Sequence, residues 1–298
     1  LPGKLNLNTA EQTRVDLTVK QQKQIRSVYE SAAANIAKQA EKIPLTTSSI
    51  LRQQYLSTLQ GQITTELDKI RSELGESIKG NMGAVSDAVI QDNVTFLQSV
   101  NMPVEGAFSR VSDEVIRSVT TGQLYDGNWS LSRALWKDEK RTQQDVQSIV
   151  AQGIAQNKSA YDIAKDLEKY VNPSARKDWD WSKVYPGTKK QVDYNAQRLA
   201  RTMVSHAYQQ AFVRTTQNNP FVTKYQWIAS GSRVCPICED RDGQYYAKDD
   251  LPLDHPNGMC TFVAVIEDSM EDIADRIADW VEGGADTELD EFAKSLEG

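Results

Sequence analysis

Cys235-Pro-Ile-Cys238 is a C-x2-C pair, a spacing that lets two thiolates on a tight turn face one tetrahedral ion with sulfurs about 2.3 Å from it. After sixteen intervening residues comes His255, and Cys260 follows it in an H-x4-C spacing. Four soft or borderline donors so close together complete the set for a structural zinc site, which keeps no open position. All three cysteines of the chain fall in this cluster, as does one of its two histidines. That odd, clustered count is not how a disulfide-stapled secreted domain distributes cysteine. Cys235, Cys238, His255 and Cys260 are therefore the expected ligands, and Zn2+ the expected structural cofactor. Asp254 and Asp242 are candidates to accept a hydrogen bond from the imidazole nitrogen that faces away from the ion.

The same residues admit plainer readings. C-x2-C also serves as a redox pair, but thioredoxin-type motifs sit at a strand-to-helix junction of a βαβ unit, whereas this pair lies in a Pro-, Gly- and Asp-rich loop. Inert or half-oxidised cysteines are the second alternative. His206, alone on a helix face, is expected to be a packing residue. Glu239-Asp240-Arg241-Asp242-Gly243 reads as a turn before it reads as metal-phosphate chemistry. No P-loop, H-E-x-x-H or G-x-S-x-G occurs, so no catalytic residue is expected and the protein is not expected to be an enzyme.

The ligands need two strands to carry them. Thr223 to Ala229 and Thr261 to Ile266 have the β-branched and aromatic content of strands, and the cysteines lie between them. Upstream the pattern is helical. Ile25, Val28, Tyr29, Ala32 and Ile36 recur at helical spacing in a first run that Ile43-Pro44 should end. A second run, with cap-type residues Thr46 to Ser49, carries Leu51, Tyr55, Leu59, Ile63, Leu67, Ile70, Leu74 and Ile78. Gly75, Gly80 and Gly83 should weaken its end before a separate stretch bearing Val85, Val89, Val94 and Leu97.

Further helices are expected over Val104 to Val119, ended by Gly122, and from Leu135 to a stop at Gly153. Two more run from the Ser159 cap to Asn172-Pro173 and from Asp193 to Asn218. Asp126-Gly127-Asn128 reads as a turn and 174–190 as a polar loop. The acidic tail, with Met270, Ile273, Ile277, Trp280 and Val281, forms a last amphipathic helix before Gly283-Gly284. The fold class is thus mainly α with a small α+β C-terminal module: a long helical N-terminal arm, a strand-loop-strand zinc-binding element and an acidic C-terminal helix. The expected division is 1–124 and 125–298, with the zinc knot at 235–260.

Charge is uneven along the chain. Residues 123–228 hold 16 basic against 10 acidic residues, while 229–298 hold 5 against 18. Fields of this size bias partner choice without saying anything about fold. Arg133, Lys137, Lys140 and Arg141, or Lys189, Lys190, Arg198 and Arg201, could meet double-stranded DNA, although such clusters are usually solvated helix faces. No stretch is apolar enough to span a membrane, and Leu1-Pro2-Gly3-Lys4 lacks the apolar core of a signal peptide. A soluble, unexported chain is expected, and the absence of an initial methionine leaves room for residues upstream of Leu1.

Several of these runs together resemble a known family. Arg198-Leu-Ala-Arg201-Thr202, then Tyr225-Gln-Trp227-Ile-Ala, then Arg233-Val-Cys235-Pro-Ile-Cys238-Glu-Asp-Arg-Asp-Gly243, then Leu251-Pro-Leu-Asp-His255-Pro-Asn257-Gly-Met-Cys260 look like the phage head morphogenesis family of Mu F-like minor capsid proteins. Trp129-Ser-Leu-Ser-Arg133-Ala-Leu-Trp136 and Ile149 to Leu167 are similar to that family's preceding helices, so the likeness spans about 125–266. The chain departs from the pattern twice. Met203 stands where the family often has Glu, and Gly258-Met259-Cys260 stands where it commonly has Cys-x-Cys.

The resemblance implies a structural minor head protein of a tailed bacteriophage. It would lie inside the virion head, in the host cytoplasm during assembly, and act in head assembly, DNA packaging or DNA ejection. The implied partners are the portal protein, engaged by the helical N-terminal region, and the major capsid or scaffolding protein, with double-stranded DNA against the basic middle and no membrane. A small zinc-finger-type metal-dependent nuclease and a cytosolic dithiol redox protein stand as alternatives.

Overall fold

Two long helices open the chain, α1 (Asn8–Ala40) and α2 (Ser49–Ser99), after a two-residue strand β1 (Lys4–Leu5). The computed structural model describes residues 4–5, 8–40, 42, 49–125, 127, 129–156, 158–174, 193–230 and 234–296. The expected stop at Ile43-Pro44, the caps at 46–48, the turn residues Asp126 and Asn128, the polar loop from 175 onward, Lys189, Lys190 and Arg233 lie outside them. Among the described residues four further helices follow before the sheet: α3 (Val111–Thr121), α4 (Leu131–Ala155), α5 (Ala160–Val171) and α6 (Tyr194–Thr216). Next come β2 (Val222–Ile228), the short helix α7 (Pro236–Arg241), β3 (Tyr245–Tyr246) and β4 (Thr261–Ile266), then α8 (Met270–Val281) and α9 (Thr287–Leu296). None of the described helices is long and apolar enough to cross a membrane.

The chain forms two compact units. The first comprises Leu1–Val19, Ile78–Asp126 and Arg201–Gly298, the second Lys20–Ser77 and Gly127–Ala200.

In the first unit the antiparallel sheet has the order β1-β4-β2-β3. Its register sets Tyr225 opposite Ala264 and Trp227 opposite Phe262. Alternation sends Tyr225, Trp227, Phe262, Ala264 and Ile266 to one buried face. That face meets α6, where the Phe212 ring lies 4.9 Å from Tyr225 and 5.9 Å from Phe262. This packing fixes one side of α6 against the sheet and sets the strand ends from which the ligand loop departs.

In the second unit Leu59, Ile63, Leu67, Ile70 and Leu74 of α2 are buried at helical spacing, as the sequence predicts. Tyr170 of α5 donates to Asp145 of α4 at 2.7 Å. Ser130 and Ser159 cap α4 and α5 by accepting from Arg133 N–H and Asp162 N–H.

Four expectations are corrected. The stretch carrying Val85 to Leu97 is not separate, because α2 continues unbroken to Ser99. A helical glycine costs about 1 kcal/mol relative to alanine. Each fully buried side chain such as Ile78, Met82, Val85 or Val89 contributes about 1.5–3 kcal/mol, so packing wins. The next helix begins at Val111 rather than Val104, because Gly106 and Phe108 take left-handed backbone with φ of 72° and 62°. Gly122 does end it, with φ of 83°. Gly153 does not stop α4 but lies inside it, where Ile163 of α5 packs so closely that a Cβ would sit 2.7 Å from its Cγ1. Finally, the tail holds a second helix, α9, beyond the expected one, and β3 adds a strand that two residues were too short to signal.

Candidate metal centre

All four expected ligands lie in the first unit, in the connection from β2 to β4. Cys235 is extended (φ −85°, ψ 159°) and precedes α7, with Pro236 in the first helical position, where its missing N–H is harmless. Glu239 N–H bonds to Cys235 O at 2.9 Å and closes the first turn. Part of the expected Glu239 to Gly243 turn is therefore helix. The Cys238 backbone N–H holds the Cys235 thiol below its ordinary range. Burial, then the adjoining Cys260 and Cys235 sulfurs, push the Cys238 thiol up.

His255 begins a tight turn in which Gly258 N–H bonds to His255 O at 2.8 Å. Pro256 follows it and Asn257 has φ of 70°, the Pro-then-left-handed order of a type II turn. The imidazole Nδ1 lies 3.0 Å from Pro256 O. A carbonyl only accepts, so Nδ1 carries the proton and Nε2 presents its lone pair to the sulfurs. Nε2 is 3.2 Å from Cys235 Sγ and 3.1 Å from Cys238 Sγ, and Cys260 Sγ is 3.2 Å from Cys238 Sγ.

All three cysteines are free thiols. Among the described residues, Cys235, Cys238 and His255 form one potential metal-holding group and Cys238, Asp254 and Cys260 another, each with its ligand atoms within 4.8 Å of one another. Zn–S bonds of about 2.3 Å and Zn–N bonds of about 2.0 Å put tetrahedral neighbours about 3.5–3.7 Å apart, slightly wider than the contacts here. A cation would offset the burial and crowding that push the Cys238 thiol up, so the donor set fits a divalent ion.

Neither Asp254 nor Asp242 takes the second imidazole nitrogen, which is a correction. Asp242 accepts from Ala229 N–H at 2.8 Å. Buried Asp254 accepts from His255 N–H at 2.8 Å and from Cys260 N–H at 3.2 Å, bracing the backbone of two of the expected ligands. Burial raises its pKa.

A polar stripe on α6 templates the same loop. Arg201 donates to Asn257 Oδ1 at 3.0 Å, and Thr202 Oγ1 accepts from Asn257 N–H at 2.8 Å. One turn later Ser205 donates to Gly258 O at 2.8 Å. Gln209 donates to Pro252 O at 2.7 Å and accepts from Asp254 N–H at 2.9 Å. His206 is buried between the two, with Nε2 2.9 Å from Asp254 O and Nδ1 2.5 Å from the Tyr125 hydroxyl. Nε2 therefore holds the proton, and both nitrogens are engaged. Burial pushes its pKa down to about 4 and that of Tyr125 up.

Residues 144–262 match the family model described as phage Mu protein F like protein. That segment is similar to the Mu F-like family. No curated protein and no solved structure matches the chain. The matched segment contains the four expected ligands and the polar stripe of α6, so its Arg201-Thr202 pair has a physical role: it grips the turn that follows His255.

Sequence reasoning missed Ser205 and Gln209, which carry no local signal, and took His206 for packing alone. The basic residues divide. Arg133, Lys137, Lys140 and Arg141 are exposed on α4, and Lys140 lies 4.7 Å above the Trp136 ring. Arg133, Lys137 and Arg141 line an open pocket of about 450 Å³ with Trp129 and Asn195. Arg198 is exposed on α6, whereas Arg201 is drawn to Asn257.

Proposed function

We propose that this chain is a structural minor head protein of a tailed bacteriophage, acting by binding rather than turnover, with one zinc ion held by Cys235, Cys238, His255 and Cys260. The observation that carries the reading is the coincidence of the Mu F-like segment with a four-donor cluster whose loop is braced from α6. When bound, the ion supplies closure of the loop and no chemistry of its own. A loop-rich module buries little apolar surface, so metal binding adds directly to its folding free energy.

The long helices α1 and α2 are offered for engaging the portal, and the exposed cations of α4 for double-stranded DNA during packaging or ejection. The residence that follows is the virion interior, reached from the host cytoplasm during assembly. Mass spectrometry of purified virions and a pull-down with portal protein test the role; absence from both removes it. Elemental analysis with thiol counting tests the metal: one zinc per chain is expected, with three thiols becoming reactive on chelation. A zinc-free chain with a freely titrating dithiol supports the redox alternative instead. Metal-dependent plasmid cleavage lost in His255→Ala supports the nuclease.

A further inference from the structure

The structure assigns Arg14, at the start of α1, as a positioning residue for the metal centre, an inference that rests on the zinc reading above. Arg14 is 1% exposed. Its Nη1 donates to Cys260 O at 2.7 Å and its Nη2 to Met259 O at 3.0 Å, across 246 and 245 residues of sequence. The guanidinium lies 4.6 Å over the Tyr208 ring, and the Tyr208 hydroxyl is 2.8 Å from Thr261 Oγ1. Its Nε is buried without a partner, a desolvation cost that the two carbonyl bonds must offset.

Cys260 is thus fixed from three directions. Asp254 holds its N–H, Arg14 holds its carbonyl, and β4 begins at the next residue. With both peptide groups of Cys260 held, the direction of its Cα–Cβ bond is set, and with it the sulfur. The same arrangement ties the N-terminal segment to the ligand strand. Lys4 and Leu5 pair with Val265 and Ala264 of β4, and Ala10 N–H bonds to Asp92 Oδ2 at 2.8 Å. Coupling of this kind is reciprocal: if Arg14 strengthens zinc binding, zinc strengthens the seating of Asn8 to Val19.

The test uses the full chain, zinc and a chromophoric chelator as competitor. Arg14→Met should weaken zinc binding about 10- to 100-fold, as loss of an outer partner of a ligand does, and Arg14→Lys should recover part of it. A purely structural Arg14 would lower the unfolding midpoint while leaving zinc affinity unchanged, and that result overturns the assignment. If Arg14→Met does not fold, hydrogen exchange in the unaltered chain decides. The amides of Asn8 to Val19 should exchange faster once zinc is chelated, and an unchanged rate overturns the coupling. An unaltered chain that takes up no zinc overturns both readings, whereas one that binds an equivalent as tightly as Arg14→Met overturns only this one.

Discussion

Gly258→Ala places one methyl group in the most crowded part of the ligand loop. The added Cβ would lie 2.3 Å from both carboxylate oxygens of Asp254 and 2.4 Å from its Cγ. No left-handed φ is involved at this position, so space alone decides. Asp254 cannot swing aside cheaply. Its side chain accepts from His255 N–H and Cys260 N–H, its own N–H is held by Gln209 and its carbonyl by His206. Displacing the carboxylate forfeits two hydrogen bonds to an anionic acceptor, each about 1.5–3 kcal/mol, for an expected loss on the order of 3–5 kcal/mol. Urea unfolding of the metal-free chain measures it. The double variant with Asp254→Ala isolates the clash, because the methyl group then costs little on top of Asp254→Ala. A loss below about 1 kcal/mol for Gly258→Ala alone, within the range of an ordinary surface change, would refute the reasoning.

Gly153→Ala should also destabilise, because its Cβ meets Ile163 Cγ1 at 2.7 Å. Overpacking costs about 1–3 kcal/mol against the roughly 1 kcal/mol gained in helix propensity, and a raised unfolding midpoint would contradict this. His206 is held neutral, with its pKa pushed from 6.5 down to about 4. The unfolded chain takes up a proton below 6.5 while the folded chain does not until about 4, so stability falls as pH drops through that window, by roughly 3 kcal/mol in total. Replacing His206 by Gln should flatten that part of the pH profile of the metal-free chain, and an unaltered slope would mean the group titrates normally in the fold.

The clustering of Cys235, Cys238, His255 and Cys260 was legible because each half of the pattern is a short motif. C-x2-C and H-x4-C are each short enough to read along the chain, whereas the contacts of Cys235 and Cys238 with His255 and of Cys238 with Cys260 cross 17 to 22 residues and depend on the β2–β4 connection folding back on itself. The His255-Pro256-Asn257-Gly258 turn is local. Helix periodicity was read correctly where apolar residues recur, and Gly122 was rightly read as a stop, but Gly75, Gly80, Gly83 and Gly153 were wrongly taken to weaken or end a helix. At Gly153 the deciding fact is a neighbouring helix, which no window of sequence contains.

Composition and spacing by themselves determined that the chain is mainly helical with a small sheet, that four donors lie near its C-terminal strands, and that no disulfide framework organises it. Only the tertiary structure decided what holds those donors in place. Arg14, Ser205, His206 and Gln209 are unremarkable polar residues in helices, and their partners lie 43 to 246 residues away. A hydrogen bond across such a distance leaves no periodic trace, because its geometry depends on how whole helices pack against the sheet rather than on the residues beside it.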